Sequence, residues 1–289
     1  MDRFRPAIDC HTHFHPPRLL RAIREWFARE TDWRIEHPSD EAACVGTLTE
    51  HGVERFVFST YAHRPGIARE LNDWVRGFAD RHPGAVPLGT VHPDDPDRVE
   101  EARRALDDLG LAGLKVHCEV QRVAPDDPRM IPVYDLIRER GRLVLMHAGT
   151  GPFGGNAFTT SAAGVERLLA RQPGLTLVAA HMGQYETEAF FGLLERHPSL
   201  HLDTTMVFAA ASPFRLRPVS RDEVVAHADR ILYGTDWPNV PYPYTGDRDG
   251  LLALGLPDAA CRAIFHDNAA RLLAACGGPG RARGRTGGG

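Results

Sequence analysis

Residues 138–149, Arg-Glu-Arg-Gly-Arg-Leu-Val-Leu-Met-His-Ala-Gly, decide the fold. A helical stretch stops at Gly141, and one residue later an apolar run begins that closes on His147. Glycine just past the last helical turn takes the left-handed conformation that ends a helix. A short apolar run bounded in this way reads as a strand buried on both faces. The junction recurs along the chain: EHG before Val53, RHPG before Ala85, DLG before Leu111, RQPG before Leu175, RHPS before Leu200 and HAD before Arg230. Strands are predicted at 53–59, 85–92, 111–117, 142–147, 175–181, 200–204 and 230–236, and with 7–13 they make eight. Parallel strands need long crossovers, normally helices, and eight such units closing on themselves give an α/β fold, the (β/α)8 TIM barrel of about 250 residues. The structural alternative, a doubly wound open sheet, lacks its GxGxxG after the first strand.

A chain of 289 residues, 43% hydrophobic and 25% charged, fits one large domain, assigned to 1–276. Between the first strand and a helix starting near Ser39 lies PPRLLRAIREWFARE, an inserted helix that reads equally as a lid over the barrel mouth or as packing. The tail from Gly277, GGPGRARGRTGGG, has no apolar face to bury and is expected to be disordered. A net charge of -4 gives no reason to expect nucleic acid or an anionic membrane as partner, which leaves a small-molecule substrate recognised locally. The five cysteines are scattered without CxxC spacing, as free thiols of a cytoplasmic protein would be. No apolar run approaches the ~18 residues of a membrane span, and the N-terminus has no signal-peptide pattern.

In this barrel the site is built where strands end and loops begin. Those ends carry His11, His13, His92, His117, His147, His181, Asp203 and Asp236. Strict alternation along AIDCHTH turns Asp9, His11 and His13 inward and Cys10 and Thr12 toward the helices. An HxH by itself is weak, but two inward imidazoles can chelate one ion, each Zn–N bond being ~2.0–2.1 Å. His147 comes from the opposite side of the barrel and Asp236 from the strand beside the first. Three imidazoles and a carboxylate can therefore converge on the axis and leave room for a water or substrate oxygen.

With those residues in view, IDCHTH, GLKVH, LMHAG, VAAHMG, YGTDWP and FHDNAARLL resemble the successive landmarks of the amidohydrolase-2 family within the amidohydrolase superfamily, which includes the aminocarboxymuconate semialdehyde decarboxylase group. The resemblance runs from Ile8 to Leu273. It implies one divalent metal, zinc before manganese, on His11, His13, His147 and Asp236, with His181 acting from behind these ligands, and a homodimer. TatD-like nucleases fit less well, since they require a glutamate at the end of strand four, where Lys115 and His117 stand. Lys115 also keeps open a second metal bridged by a carboxylated lysine.

The first reaction expected is hydrolysis of an amide, lactone or ester by a metal-activated water, with Asp236 taking the proton and His181 bonding the developing oxyanion. The alternative is non-oxidative decarboxylation of an aromatic or dienoic acid, with Asp236 and His181 protonating the carbon that loses CO2. A non-catalytic metal-binding barrel would have lost these two acid/base groups, and both are present. Substrate contacts are expected from Arg64, Lys115, His117, Gln121, Arg122, Phe153 and Trp237, with Phe158, Tyr185 and Tyr242 beside them. An arginine among them would favour a carboxylate substrate.

Overall fold

The structure, a computed structural model, describes residues 5–148, 160–214 and 216–276. Phe153, Phe158 and the tail 277–289 lie outside the described residues. Eight strands, β1 (Ala7–His13), β2 (Val53–Ser59), β3 (Ala85–Gly89), β4 (Gly113–His117), β5 (Leu143–His147), β6 (Thr176–Ala179), β7 (Leu200–Asp203) and β8 (Ile231–Leu232), form one sheet in chain order. Every neighbouring pair is parallel. The ends meet: Cys10 N–H donates to Tyr233 O at 2.8 Å, His13 N–H donates to Trp237 O at 2.7 Å, and Thr12 bridges Trp237. The fold is the (β/α)8 barrel, with helices in the crossovers.

Inside the barrel Ile8, Cys10, Val57, Leu88, Leu145, Val178 and Leu232 pack as one cluster, to which the last helix, Asn268–Ala275, adds Ala269, Leu272 and Leu273. Outside, Phe58 and Phe14 lie 4.5 and 4.6 Å from the Phe78 ring of the helix Ala68–Arg81, all three buried. Each such ring contributes about 1.5–3 kcal/mol of burial, which fastens the helix layer to the sheet.

Strict alternation along β1 is overturned. The register against β2 shifts between Asp9 and Thr12, so an extra residue enters at the bulge and the facing changes. Cys10 lies with Ile8 in the interior cluster, whereas Asp9 accepts hydrogen bonds from Thr235 Oγ1 at 2.7 Å and Tyr244 OH at 3.2 Å. Past the bulge His11 and His13 meet in the site.

Three strands are shorter than the apolar runs suggest by three residues or more. β3 ends at Gly89 rather than at His92. β8 stops at Leu232 because the Thr204 hydroxyl bonds both the carbonyl and the N–H of Gly234, at 3.1 and 3.0 Å, in place of ladder partners. β6 stops at Ala179 because His181, Met182 and Gly183 are left-handed, with φ of 57°, 49° and 72°. Consecutive left-handed residues cost about 1–2 kcal/mol each where a Cβ is present, so the turn is held by its surroundings.

The inserted helix α1 (Pro17–Glu30) begins with proline in its first turn and ends at Thr31, whose hydroxyl donates to Phe27 O at 2.7 Å. Asp40 caps the next helix, α2 (Glu41–Glu50), accepting from Ala43 N–H at 2.9 Å. Among the described residues no helix is long and apolar enough to cross a membrane. None of the five cysteines forms a disulfide, and all are buried.

Gly183 is required twice over, by its positive φ and because a Cβ there would overlap the buried Phe190 ring. Gly183→Ala should therefore lower stability by roughly 2–4 kcal/mol in urea unfolding. An unchanged midpoint would show that Phe190 does not hold the turn in place.

Candidate metal centre

Asp203, at the end of β7, organises the site. Its Oδ2 accepts from His11 Nδ1–H at 2.8 Å, and its Oδ1 accepts from the backbone N–H of His181 at 2.8 Å and of Thr205 at 3.1 Å. Burial pushes this carboxyl up, but His11 and His181 outweigh it and hold the pKa down to about 2. An ionised carboxylate can only accept, so the proton of His11 sits on Nδ1 and the Nε2 lone pair faces the barrel axis. His13 and His181 are set alike, their Nδ1 groups on the carbonyls of Ser59 at 3.3 Å and Thr205 at 3.2 Å.

The inward nitrogens crowd together. His11 Nε2 is 3.2 Å from His13 Nε2, and Asp236 Oδ1 lies 3.2 and 3.0 Å from the two. Donor atoms of His11, His181 and Asp236 all fall within 4.8 Å of one another. His181 Nε2 in turn is 3.1 Å from His147 Nδ1, and the His147 ring stacks on His117 at 4.1 Å. His147, expected as a direct ligand, thus joins through His181, whereas His181, expected behind the ligands, stands in the tight group. Asp236 itself is left-handed, φ 65°, held by its N–H to His11 O at 2.8 Å.

Lone pairs and a carboxylate facing one another at these distances repel unless a cation lies among them. Two ligands on one zinc in a tetrahedral arrangement stand about 3.4 Å apart, so the spacing suits a divalent ion. Burial, then the Lys115 ammonium, lowers His11 to about 4, which leaves the imidazole neutral and ready to coordinate. Burial favours the neutral form of Asp236, yet His13, His11 and His181 hold its pKa well below the usual carboxylate range. Among the described residues the buried Nε2 of His147 has no hydrogen-bond partner.

Lys115 is fully buried with its Nζ 2.9 Å from His11 Nε2, and burial lowers its pKa to about 8. It touches the centre itself. His117 and Arg122 line a cavity of about 490 Å³ that opens over the centre. Five other expected contacts are absent from that wall. The Gln121 amide is consumed by Ala62 O, Val91 O and the N–H of His117, at 3.2, 2.7 and 2.8 Å. Trp237 is buried against His37 and Tyr244, its Nε1 donating to Cys44 O at 3.1 Å. Arg64 is exposed to solvent, and its neighbour His63 lines the cavity in its place. Tyr185 is exposed, and Tyr242 OH is tied to Asp247 at 2.8 Å.

Several wall residues lie outside the strand ends at which the sequence places the site. From α1 come Leu19, Ala22, Ile23, Trp26 and Phe27, faced by Trp33 and Phe214. Tyr61, Glu119, Gln184 and Asn239 add polar groups, all lying one to three residues past a residue identified at a strand end. Glu119 Oε2 stands 3.7 Å from His147 Nε2.

The profile of the family described as Amidohydrolase matches residues 8–274. The chain belongs to the amidohydrolase family. No curated protein matches it. Among solved structures, the chain is similar to an uncharacterized TIM-barrel protein from Bordetella bronchiseptica, with TM-score 0.72 and 24% identity over 94% of this chain and 99% of that one. It is also similar to 5-carboxyvanillate decarboxylase from Sphingomonas paucimobilis, with TM-score 0.66 and 18% identity over 94% and 99%. A third is 5-carboxyvanillate decarboxylase from Novosphingobium aromaticivorans, complexed with manganese and 4-hydroxy-3-methoxy-5-nitrobenzoic acid, with TM-score 0.70 and 16% identity over 94% and 97%.

An amide at position 203 would turn its NH2 either toward His11 Nδ1–H, forcing that proton onto the nitrogen needed for the metal, or toward the backbone N–H groups of His181 and Thr205. Asp203→Asn should weaken metal binding about 10–100-fold in competition with a chromophoric chelator while the circular dichroism stays unchanged. Undiminished affinity would show that His11 does not depend on this carboxylate.

Proposed function

We propose that the chain is a divalent-metal-dependent carboxy-lyase that releases CO2 from an aromatic or dienoic carboxylic acid. The observation that carries this reading is the cavity itself, in which a floor of His13, His147, His181 and Asp236 faces an apolar, largely aromatic wall from α1, Trp33 and Phe214. Such a wall suits a flat conjugated body, and the floor suits its acid group. Similarity to solved decarboxylases supports the same choice. Arg122 lines the mouth, is exposed, and makes no ion pair among the described residues, which leaves its guanidinium able to draw in a carboxylate.

A divalent ion, zinc or manganese, on His11, His13, Asp236 and the His147–His181 pair would supply a Lewis acid that holds the acid group and stabilises developing charge. The protein does the rest. The carbon–carboxyl bond breaks, CO2 leaves, and the electron pair left on carbon takes up a proton. Asp236 and His181 are the groups that hold and move that proton, and the walls of α1 keep water from the reacting carbon.

Hydrolysis of an amide, lactone or ester is the second reading, favoured by the ionised state of Asp236, a carboxylate ready to take a proton from water. The two readings part in one experiment. Metal-free protein reloaded with zinc and manganese in turn is given mixed aromatic carboxylates, lactones and amides, and products are read by mass spectrometry. A loss of about 44 mass units is expected, a gain of about 18 would favour hydrolysis instead, and no change with either metal would sink both. Asp236→Asn should lower the observed turnover by about 10²–10⁴-fold.

A further inference from the structure

One proton on the His147 ring has to serve two nitrogens, and the structure gives each a different neighbour. His181 Nδ1 lies 3.2 Å from the Thr205 carbonyl, which can only accept, so the proton of His181 sits there and its Nε2 is a lone pair. That lone pair faces His147 Nδ1 at 3.1 Å. On the other side of the ring, His147 Nε2 faces Glu119 Oε2 at 3.7 Å. With its proton on Nδ1, His147 bonds His181 and sets a bare, buried Nε2 against a carboxylate, an unpaired acceptor of the kind that costs about 1–3 kcal/mol. With the proton on Nε2, Glu119 gains a donor, and two lone pairs are left 3.1 Å apart on the side of the barrel axis. Those two repel unless a cation lies between them.

The surroundings favour the second arrangement. The His147 ring stacks on His117 at 4.1 Å with 13° between the planes, which keeps its two nitrogens aimed at His181 and at Glu119. Glu119 belongs to the short helix Cys118–Gln121 after β4, and that helix is pinned by the Gln121 amide on Ala62 O and Val91 O at 3.2 and 2.7 Å. Burial pushes the Glu119 carboxyl up, and among the described residues it has no partner other than His147. We propose that Glu119 is the positioning residue for His147: its carboxylate holds the ring proton on Nε2 and frees Nδ1, beside His181 Nε2, to coordinate the divalent ion. No proton is gained or lost, since it only changes nitrogen. A carboxylate on the far nitrogen fixes the tautomer of a ligating imidazole and raises its basicity. Glu119 would thus do for His147 what Asp203 does for His11. This rests on the reading of the centre as a metal site and not on which reaction follows.

The test is the zinc affinity of the full chain, measured against a chromophoric chelator for wild type, Glu119→Gln and Glu119→Ala. Glu119→Ala should bind zinc about 10–100-fold more weakly, and Glu119→Gln, which keeps an acceptor oxygen, should recover part of that loss. The metal-free variants should melt with wild type, because the carboxylate contributes only once the ring proton is on Nε2. Nitrogen NMR of isotope-labelled histidine, with the His147 signals assigned from a His147→Gln variant, should place the proton of zinc-loaded wild type on Nε2. Equal affinity in all three proteins, a zinc-loaded His147 protonated on Nδ1, or a metal-free Glu119→Ala that melts several degrees lower would each overturn the inference. Equal affinity would leave the carboxy-lyase reading standing, whereas wild type that binds no zinc would remove both.

Discussion

The hydrogen bond from His11 Nδ1–H to the Asp203 carboxylate is the interaction on which the rest of the site depends. One buried carboxylate at the end of β7 fixes the imidazole of β1 through Oδ2 and ties down the start of the turn after β6 through Oδ1. Three strand ends are thereby brought to one point, and the proton on His11 is placed where it cannot interfere with coordination. Remove that carboxylate and the lone pair of His11 has no fixed direction, the His181 N–H has no acceptor, and the inward nitrogens lose their common focus. The strain carried by His181 and Asp236, both left-handed, is tolerated because this network and the packing of Gly183 on Phe190 over-determine the backbone there.

Much of the architecture was legible because it is encoded locally. A helix stop followed by an apolar run is a short-range signal, and its sevenfold recurrence gave both the count and the direction of the strands. Gly141 takes the left-handed φ, 59°, that such a stop requires. The positions of His11, His13, His147, His181 and Asp236 at one mouth followed from that rhythm. Where the reading failed, the cause was non-local. The bulge in β1 is a matter of register against β2, and no alternation within AIDCHTH reveals it. The ends of β6 and β8 are set by Asp203, the last residue of β7, and Thr204, the residue after it.

The wall of the cavity was the least legible part, for a related reason. Trp237 and Gln121 are the residue types that bind substrates, but each finds its partners in the scaffold, Trp237 on Cys44 O and Gln121 across the ends of β2 and β3. Among the described residues Gln184 has no such engagement, and only its unspent hydrogen-bonding capacity and its place in the wall mark it out. Residue type alone cannot separate a buried strut from a recognition group. What separates them is whether the polar atoms are already matched.

The placement of α1 carries a consequence for how such a protein can change. The chemistry of the floor is scattered over strand ends from β1 to β8, so no single exchange of sequence can move it. The apolar side of the cavity, by contrast, comes mostly from one continuous stretch of fourteen residues, Pro17–Glu30, that lies outside the repeating strand and helix units. Reaction and selectivity are therefore separable in inheritance. A new substrate range could be acquired by replacing that one segment while the barrel and its catalytic groups pass unaltered from ancestor to descendant.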